Sequence, residues 1–376
     1  MFAEAQLRQR VRNFQSLMKE NGIDVAVIRT LSSFIYFTGI KWLRPALLIP
    51  AEGEPTAFIF QHEADEFASK CWVKNVERWM KTEELMKGIS GMIRKAGYKV
   101  AGFDYSVERD SYVLFFELFK TLNPKVEIRD VHALIMKLRM IKDAQEIECI
   151  RKASEIVDLG MDAAVNSVNI GKSELEIATE AVYRLMKLGA EHPLVYVNVG
   201  PKPRKHAEPR GDVKVGEGDC VSIVIGADYN NYFSNVSRTL FFGEVSGEKK
   251  KAFEVVEKAR HVAEEELKPG VELAEIEKKI HELMEKSGYG AYYSWGFTHG
   301  VGLLIEEDPI TTIVVPHRRY KVAENMVLAA VHVPLTVPNV GSVKCEDTFL
   351  IGRDGCKPLT KYCCEMTRHV VKDDGR

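Results

Sequence analysis

The sequence has no run approaching the roughly 18 apolar residues that a membrane span requires. Its first six residues, MFAEAQ, carry no basic stretch followed by an apolar one. A cytoplasmic protein without membrane partners is therefore expected. Its seven cysteines, an odd number scattered from Cys71 to Cys364, form neither a disulfide framework nor a paired C-x-x-C zinc pattern. The adjacent Cys363 and Cys364 read as one buried and one half-exposed thiol. An excess of either charge is missing too: 52 Lys and Arg face 54 Asp and Glu, which gives no electrostatic reason to expect nucleic acid. Also absent are the phosphate-binding G-x-x-x-x-G-K-[ST], the zincin H-E-x-x-H and the G-x-S-x-G nucleophile elbow. No repeat, low-complexity tract or long linker interrupts the chain.

What is present suffices for two domains, since 376 residues exceed what one ordinary core organises. Leu7, Val11, Phe14 and Met18 recur at helical spacing, so residues 3–21 are expected to form an amphipathic helix stopped at Asn21 and Gly22. Apolar runs at 24–28, 45–49, 57–60 and 100–103 alternate with helical stretches near 62–70, 82–96 and 109–121. That alternation predicts an α/β layer domain over residues 1–131. From His132 the pattern turns helical, and Asp143 followed by Glu146 makes a capping box. The second domain, residues 132–376, continues with helices at 173–188, 248–268 and 273–287, and strand regions at 194–199, 326–337 and 341–351. The tail from Val371 onward is expected to fray.

The most informative stretch runs from Asp219 to Thr239. It reads as two strands facing each other: an apolar run from Val221 to Ile225, a polar turn from Asp228 to Asn231, then Tyr232 to Leu240. Such a pair can aim side chains into one pocket. Four further pieces concentrate polar groups: Lys205 with His206, Thr298 to Gly302 followed by Glu306 and Glu307, Val331 with His332, and Lys344 to Thr348.

The order and spacing of these pieces resemble the pita-bread family of methionine aminopeptidase, Xaa-Pro aminopeptidase, prolidase and creatinase, and the two-domain length most resembles prolidase and creatinase. The likeness includes Asn21 to Asp24 and Tyr36 to Gly39, the helix over Ile141 to Ala153, and Gly218 with Asp219. It continues through Tyr229 to Tyr232, Ser234 with Arg238 and Thr239, His299 to Leu303, and Glu346 to Thr348. The resemblance implies an α/β N-terminal domain followed by an α+β pita-bread domain and a homodimer. Metal-dependent members are similar in holding two divalent cations with two Asp, one His and two Glu. Those positions fall here on Val224, Asn235, His299, His332 and Glu346. The first Glu falls on His332 when counted back from Glu346, and on Val331 when counted forward from Met326.

Three of the five ligand positions thus depart from the family pattern. Val224 offers neither oxygen nor charge, and Asn235 offers one neutral carbonyl oxygen, so the resemblance does not carry a two-metal site into this chain. Two arrangements follow. In one, His299, His332 and Glu346, with Asn235 as a weak fourth contact, hold one zinc, iron, manganese or cobalt. In the other, the same groups hydrogen-bond to each other in a metal-free pocket.

His206 occupies the place of a family histidine that touches substrate or moves a proton. Glu306 and Glu307 replace a His-Glu pair and are further candidates for proton transfer, and Arg238 is a candidate substrate contact. Ser237 stands where creatinase carries a substrate-binding Glu, which argues against guanidinium recognition. The expected activity is hydrolysis of a C–N bond in an Xaa-Pro dipeptide or another small amide or amidine. The alternative is a catalytically inactive relative that binds a peptide or other ligand.

Overall fold

A computed structural model describes residues 2–106, 108, 111–205, 208–243, 245–363 and 367–369. It divides into two units, Met1–Arg139 and Met140–Arg376. In the first, strands β1 (Val25–Ile28), β2 (Leu47–Pro50), β3 (Thr56–Phe60), β4 (Asn75–Trp79), β5 (Val100–Phe103) and β6 (Glu127–Asp130) form one sheet in the order β4-β3-β2-β1-β5-β6. Strand β2 is antiparallel to both neighbours, whereas β1 with β5, β5 with β6 and β3 with β4 are parallel. The central strand reads VAVI and is buried at every position, as a strand covered by helices on both faces must be.

Helices α1 (Glu4–Glu20), α2 (Leu31–Thr38), α3 (Ala64–Lys70), α4 (Thr82–Ala96), α5 (Ser111–Leu122) and α6 (His132–Arg139) complete this unit. The first buries Leu7, Val11, Phe14 and Met18 along one stripe, the consequence of their 3.6-residue spacing. The last packs on α1, and Arg139 donates to Ser32 Oγ at 2.7 Å. The unit therefore extends through Arg139, past the 131/132 boundary drawn from sequence. Asp104, fully buried after β5, accepts hydrogen bonds from Thr30 Oγ1 (3.0 Å) and Ser33 Oγ (2.8 Å) and lies 2.9 Å from His132 Nδ1. Burial works to raise its carboxyl, but His132 and the surrounding donors hold it below the ordinary range.

The second unit uses one plan twice, a helix pair laid on a sheet. Helices α7 (Ala144–Ser167) and α8 (Glu174–Lys187) pack on β7 (Leu194–Val199), β8 (Cys220–Tyr229) and β9 (Tyr232–Phe242), with Val157, Leu185, Ile223 and Val236 in one core. Strands β10 (Thr298–Gly300) and β11 (Glu307–Ile310) lie in one sheet with β12 (Val327–Ala330), and helices α9 (Gly247–Glu266) and α10 (Leu273–Lys286) share a second core with β12 and the strands that follow β12. Those are β13 (Leu335–Val337), β14 (Gly341–Val343), β15 (Asp347–Ile351) and β16 (Cys356–Pro358), with β17 (Thr367–His369) beside β9. The five-stranded sheet has the order β11-β10-β12-β15-β16.

Asp143 caps α7 as its spacing to Glu146 predicts: its carboxylate accepts from the N–H groups of Gln145 and Glu146, both at 2.9 Å, and Glu146 accepts from Asp143 N–H at 2.9 Å. The hairpin of β8 and β9 is longer than the apolar runs suggest. It closes through Asn230 (φ 50°) and Asn231 (φ 68°), two left-handed positions that asparagine tolerates and a tight two-residue turn requires.

Cys345 is disulfide-bonded, a bridge that the scattered cysteine spacing does not announce. Cys363 is exposed; Cys364 lies outside the described residues. Among the described residues no helix is long and apolar enough to cross a membrane.

Candidate functional site

The hairpin register sets the site's floor. Val224 pairs with Ser237 and Gly226 with Asn235, so Val224, Asn235 and Ser237 share a face, while Ile223, Ile225 and Val236 on the other face belong to the core under α7 and α8. Ser237 exchanges backbone hydrogen bonds with Glu346, at 3.1 and 3.2 Å, which fixes the start of β15 beside the hairpin. Thr348 completes the junction: its hydroxyl donates to the Asn235 carbonyl at 2.8 Å and accepts from the Asn235 N–H at 3.2 Å.

His299 lies in β10, flanked by β11 and β12. Its Nδ1 donates to the Gly300 carbonyl at 3.0 Å; since a carbonyl only accepts, this bond assigns the proton to Nδ1 and turns Nε2 toward Glu346. That Nε2 is buried without a hydrogen-bond partner among the described residues, 3.7 Å from Glu346 Oε1. His332 follows β12 directly after Val331, whose φ of 61° is a left-handed conformation that β-branched residues rarely adopt. The kink ends the strand's alternation and brings His332 to the cluster; the other alignment, at Val331, offers no polar side chain. His332 Nδ1 stands 2.9 Å from Glu346 Oε1, its Nε2 stands 3.6 Å from Glu306 Oε1, and its ring is perpendicular to that of His299 with centroids 4.5 Å apart.

Behind this cluster lies a cation that the sequence reading did not assign. Lys344 Nζ is 2.9 Å from Glu346 Oε2, both side chains being essentially inaccessible to solvent. Burial works to raise the Glu346 carboxyl, but Lys344 and the two imidazoles hold it well below the ordinary range. Burial lowers His332 to about 3, with Lys344 adding to the effect. Burial also acts to lower His299, but the Glu346 and Glu306 carboxylates outweigh it and its pKa is raised. The two histidines are thus driven in opposite directions.

Two cations do not fit these residues. A cation bonded to Glu346 Oε2 at the usual ~2.1 Å would sit about 4.5 Å from the Lys344 ammonium. The resulting repulsion is ~7 kcal/mol at an effective dielectric of about 20. Val224 supplies no donor atom, and the Asn235 side-chain oxygen stands 3.5 Å from Thr348 Oγ1. One cation does fit: ligand atoms of His299, Glu306 and His332 all lie within 4.8 Å of one another, and the buried His299 Nε2 has no hydrogen-bond partner among the described residues.

The remaining candidates separate. Glu307 neither joins the cluster nor faces solvent; its carboxylate is 3.0 Å from Lys142 Nζ in a fully buried ion pair. Neighbouring residues of an extended chain point opposite ways, which is why Glu306 and Glu307 part. Gly302 makes room for the carboxylate of Glu307, since a Cβ there would lie 2.2 Å from Glu307 Oε1. Arg238 also stands apart. Its guanidinium donates to the carbonyls of Ser237 (2.7 Å) and Glu346 (2.9 Å), to Asp347 Oδ1 (2.7 Å) and to the carbonyls of Tyr362 and Cys363. These protein partners occupy the guanidinium donors. His206 lies outside the described residues. Lys344 was legible in principle: in an extended segment, positions 344 and 346 share a face. Lys142, 165 residues from Glu307, left no such signal.

Residues 148–353 match metallopeptidase family M24, and residues 10–141 match the creatinase/prolidase N-terminal domain. The Xaa-Pro dipeptidase of Pyrococcus horikoshii is 30% identical over 358 residues, which are 94% of this chain and 97% of that protein. The crystal structure of the prolidase from Pyrococcus horikoshii OT3 superposes with a TM-score of 0.83 at 28% identity, covering 96% of this chain and all of that one. The Pyrococcus furiosus prolidase gives a TM-score of 0.81 at 30% identity over 92% of this chain and 99% of that one. With a creatinase-type α/β domain followed by a pita-bread domain, and a family match spanning more than half its length, this chain belongs to metallopeptidase family M24.

Proposed function

We propose that this chain hydrolyses a C–N bond in a small substrate, an Xaa-Pro dipeptide or a related amide, with a single divalent cation held by His299, Glu306 and His332. The observation that carries this reading is the convergence of those three side chains within 4.8 Å around a buried His299 Nε2 that has no hydrogen-bond partner among the described residues. The substrate class rests on similarity to proteins named Xaa-Pro dipeptidases. Bound there, a cation supplies Lewis acidity, polarising a carbonyl and lowering the pKa of a water molecule.

The chain's own groups have separate tasks in this reading. Glu346 accepts the Nδ1 proton of His332 and so fixes its tautomer, as an outer carboxylate does for a ligating imidazole. Lys344 keeps Glu346 ionised. Relative to the ligand set that the family resemblance implies, Glu306 takes the carboxylate place and Glu346 moves behind it. Proton transfer to the leaving amine falls to His206, because Glu307 is held by Lys142.

A panel of Met-Pro, Leu-Pro and Ala-Pro, assayed with cobalt-loaded protein, tests the activity. Turnover is expected for at least one dipeptide, and His206→Gln is expected to lower kcat by at least a hundredfold with cobalt still bound. Val224, apolar on the site face, favours a second reading, a peptide-binding protein without turnover. Saturable dipeptide binding with no hydrolysis across the panel would support that reading and contradict the first.

A further inference from the structure

The first unit contains a cavity of about 400 Å³ lined by Arg29, Phe60, Trp79, Tyr112 and Phe115 among others. Its position follows from the sheet. Arg29 follows the end of β1, Phe60 and Trp79 end β3 and β4, and Tyr112 comes from the segment after β5. These strands run the same way, so the cavity sits at their carboxyl ends, the edge where open α/β sheets hold ligands. Its volume falls in the range of small-molecule sites.

Arg29 is the group that the fold does not account for. Among the described residues its Nε and Nη1, both buried, have no hydrogen-bond partner, although buried polar groups are almost always paired. Its Cζ lies 4.3 Å from the centroid of the Phe115 ring, which supports the cation on one face without accepting its N–H bonds. The carboxylate lining the same cavity, Glu108, is engaged elsewhere: it accepts from the Ser32 N–H at 3.1 Å and from the Ser32 hydroxyl at 2.5 Å. Burial lowers the Arg29 pKa to about 10, so the side chain is still a cation at neutral pH. A second cation, Arg44, is exposed at the rim with its Cζ 5.6 Å from the Phe60 centroid.

We propose that this cavity is a second ligand site, for a small molecule that joins a carboxylate to a flat aromatic body. The carboxylate is received by the unsatisfied N–H groups of Arg29, because an oxyanion is the acceptor that a buried guanidinium lacks. The ring lies among Phe60, Trp79 and Phe115, whose edges and faces suit offset or perpendicular aromatic contact.

Calorimetric titration of the full chain with 4-hydroxybenzoate tests the proposal, with 4-methylphenol and acetate as half-ligands. One saturable site per chain is expected for 4-hydroxybenzoate, with at least tenfold weaker binding of either half-ligand. Arg29→Met is expected to lose at least tenfold in affinity while melting no lower than the wild type, since it removes a buried cation whose Nε and Nη1 have no hydrogen-bond partner among the described residues. Should that variant not fold, quenching of tryptophan fluorescence by 4-hydroxybenzoate, present in the wild type and absent in Trp79→Phe, reports the same site. No saturable binding up to 10 mM, equal affinity for 4-methylphenol, or undiminished binding by a folded Arg29→Met would each overturn the proposal.

Discussion

Replacing Lys344 with Met removes the ammonium from a fully buried pair and leaves Glu346 without its strongest partner. At the observed 2.9 Å separation, the attraction lost is ~6 kcal/mol at an effective dielectric of about 20. The net loss is smaller, because Glu346 can take up a proton instead. Protonating at pH 7 a carboxyl whose unfolded pKa is about 4.3 limits the penalty to ~3.7 kcal/mol. Broken buried pairs generally lose ~3–5 kcal/mol, so a loss of ~3–4 kcal/mol is expected at pH 7. For a unit of this size that corresponds to a fall in Tm of about 10 °C.

The pH dependence has a defined sign. The Glu346 pKa is depressed in the folded wild type, so its contribution is present above the unfolded value and is lost as pH falls through the folded one. In Lys344→Met, where Glu346 takes up a proton on folding at pH 7, that cost shrinks as pH falls toward the unfolded carboxyl value of about 4.3, so the gap to the wild type should narrow between pH 7 and pH 4. Cobalt should also stabilise the variant more than the wild type, since a dication can then approach Glu346 Oε2. Saturation at a hundred times Kd adds ~2.7 kcal/mol. Urea denaturation at both pH values, with and without cobalt, measures all three effects. A Lys344→Met variant within ~1 kcal/mol of the wild type at pH 7 would refute the reasoning.

Three further outcomes follow from local geometry. Asp143→Ala removes the acceptor of two N–H groups at the start of α7 and should lower stability by ~1 kcal/mol in urea denaturation. Asp104→Asn disturbs a buried acceptor of several hydrogen bonds and should cost ~1–3 kcal/mol at pH 7. Because the folded pKa of Asp104 is depressed, its contribution is present above pH ~3.9 and lost as pH falls below it, so the variant's deficit should shrink in acid. Gly302→Ala places a Cβ 2.2 Å from a Glu307 oxygen that Lys142 holds in place and should lower stability by ~1–3 kcal/mol; an unchanged melting temperature would show that the buried pair yields without strain.

The elements legible in the sequence are those whose side chains carry a strong pattern: the stripe of α1, the apolar runs of β1, β3 and β5, and the capping box of α7. Strands β4, with sequence NVERW, and β6, with EIRD, lie at the two edges of their sheet and are largely exposed. An edge strand has little to bury, so the apolar run that marks inner strands is missing. Helix α2 escaped for the opposite reason: LSSFIYFT is buried from Ser32 to Thr38, and a helix covered all round shows no amphipathic period.

The site divides along similar lines. His299, His332 and Glu346 could be placed in order by resemblance, and the structure brings them together. Which carboxylate would face a cation depends on which groups are already paired. Lys344 on Glu346 and Lys142 on Glu307 decide that, and the second pair joins positions far apart in sequence. Arg238 follows Ser237 on β9 and donates to backbone carbonyls and Asp347, partners that its place in the motif does not announce.

The central claim is that the buried Lys344–Glu346 pair leaves room for one cation, at His299, Glu306 and His332. Cobalt stoichiometry tests it most directly, measured by elemental analysis of the full chain after saturation and removal of free metal. The expected results are one cobalt per chain in the wild type and none in Glu306→Gln; two cobalt ions per wild-type chain, or one retained at full affinity by Glu306→Gln, would contradict the claim.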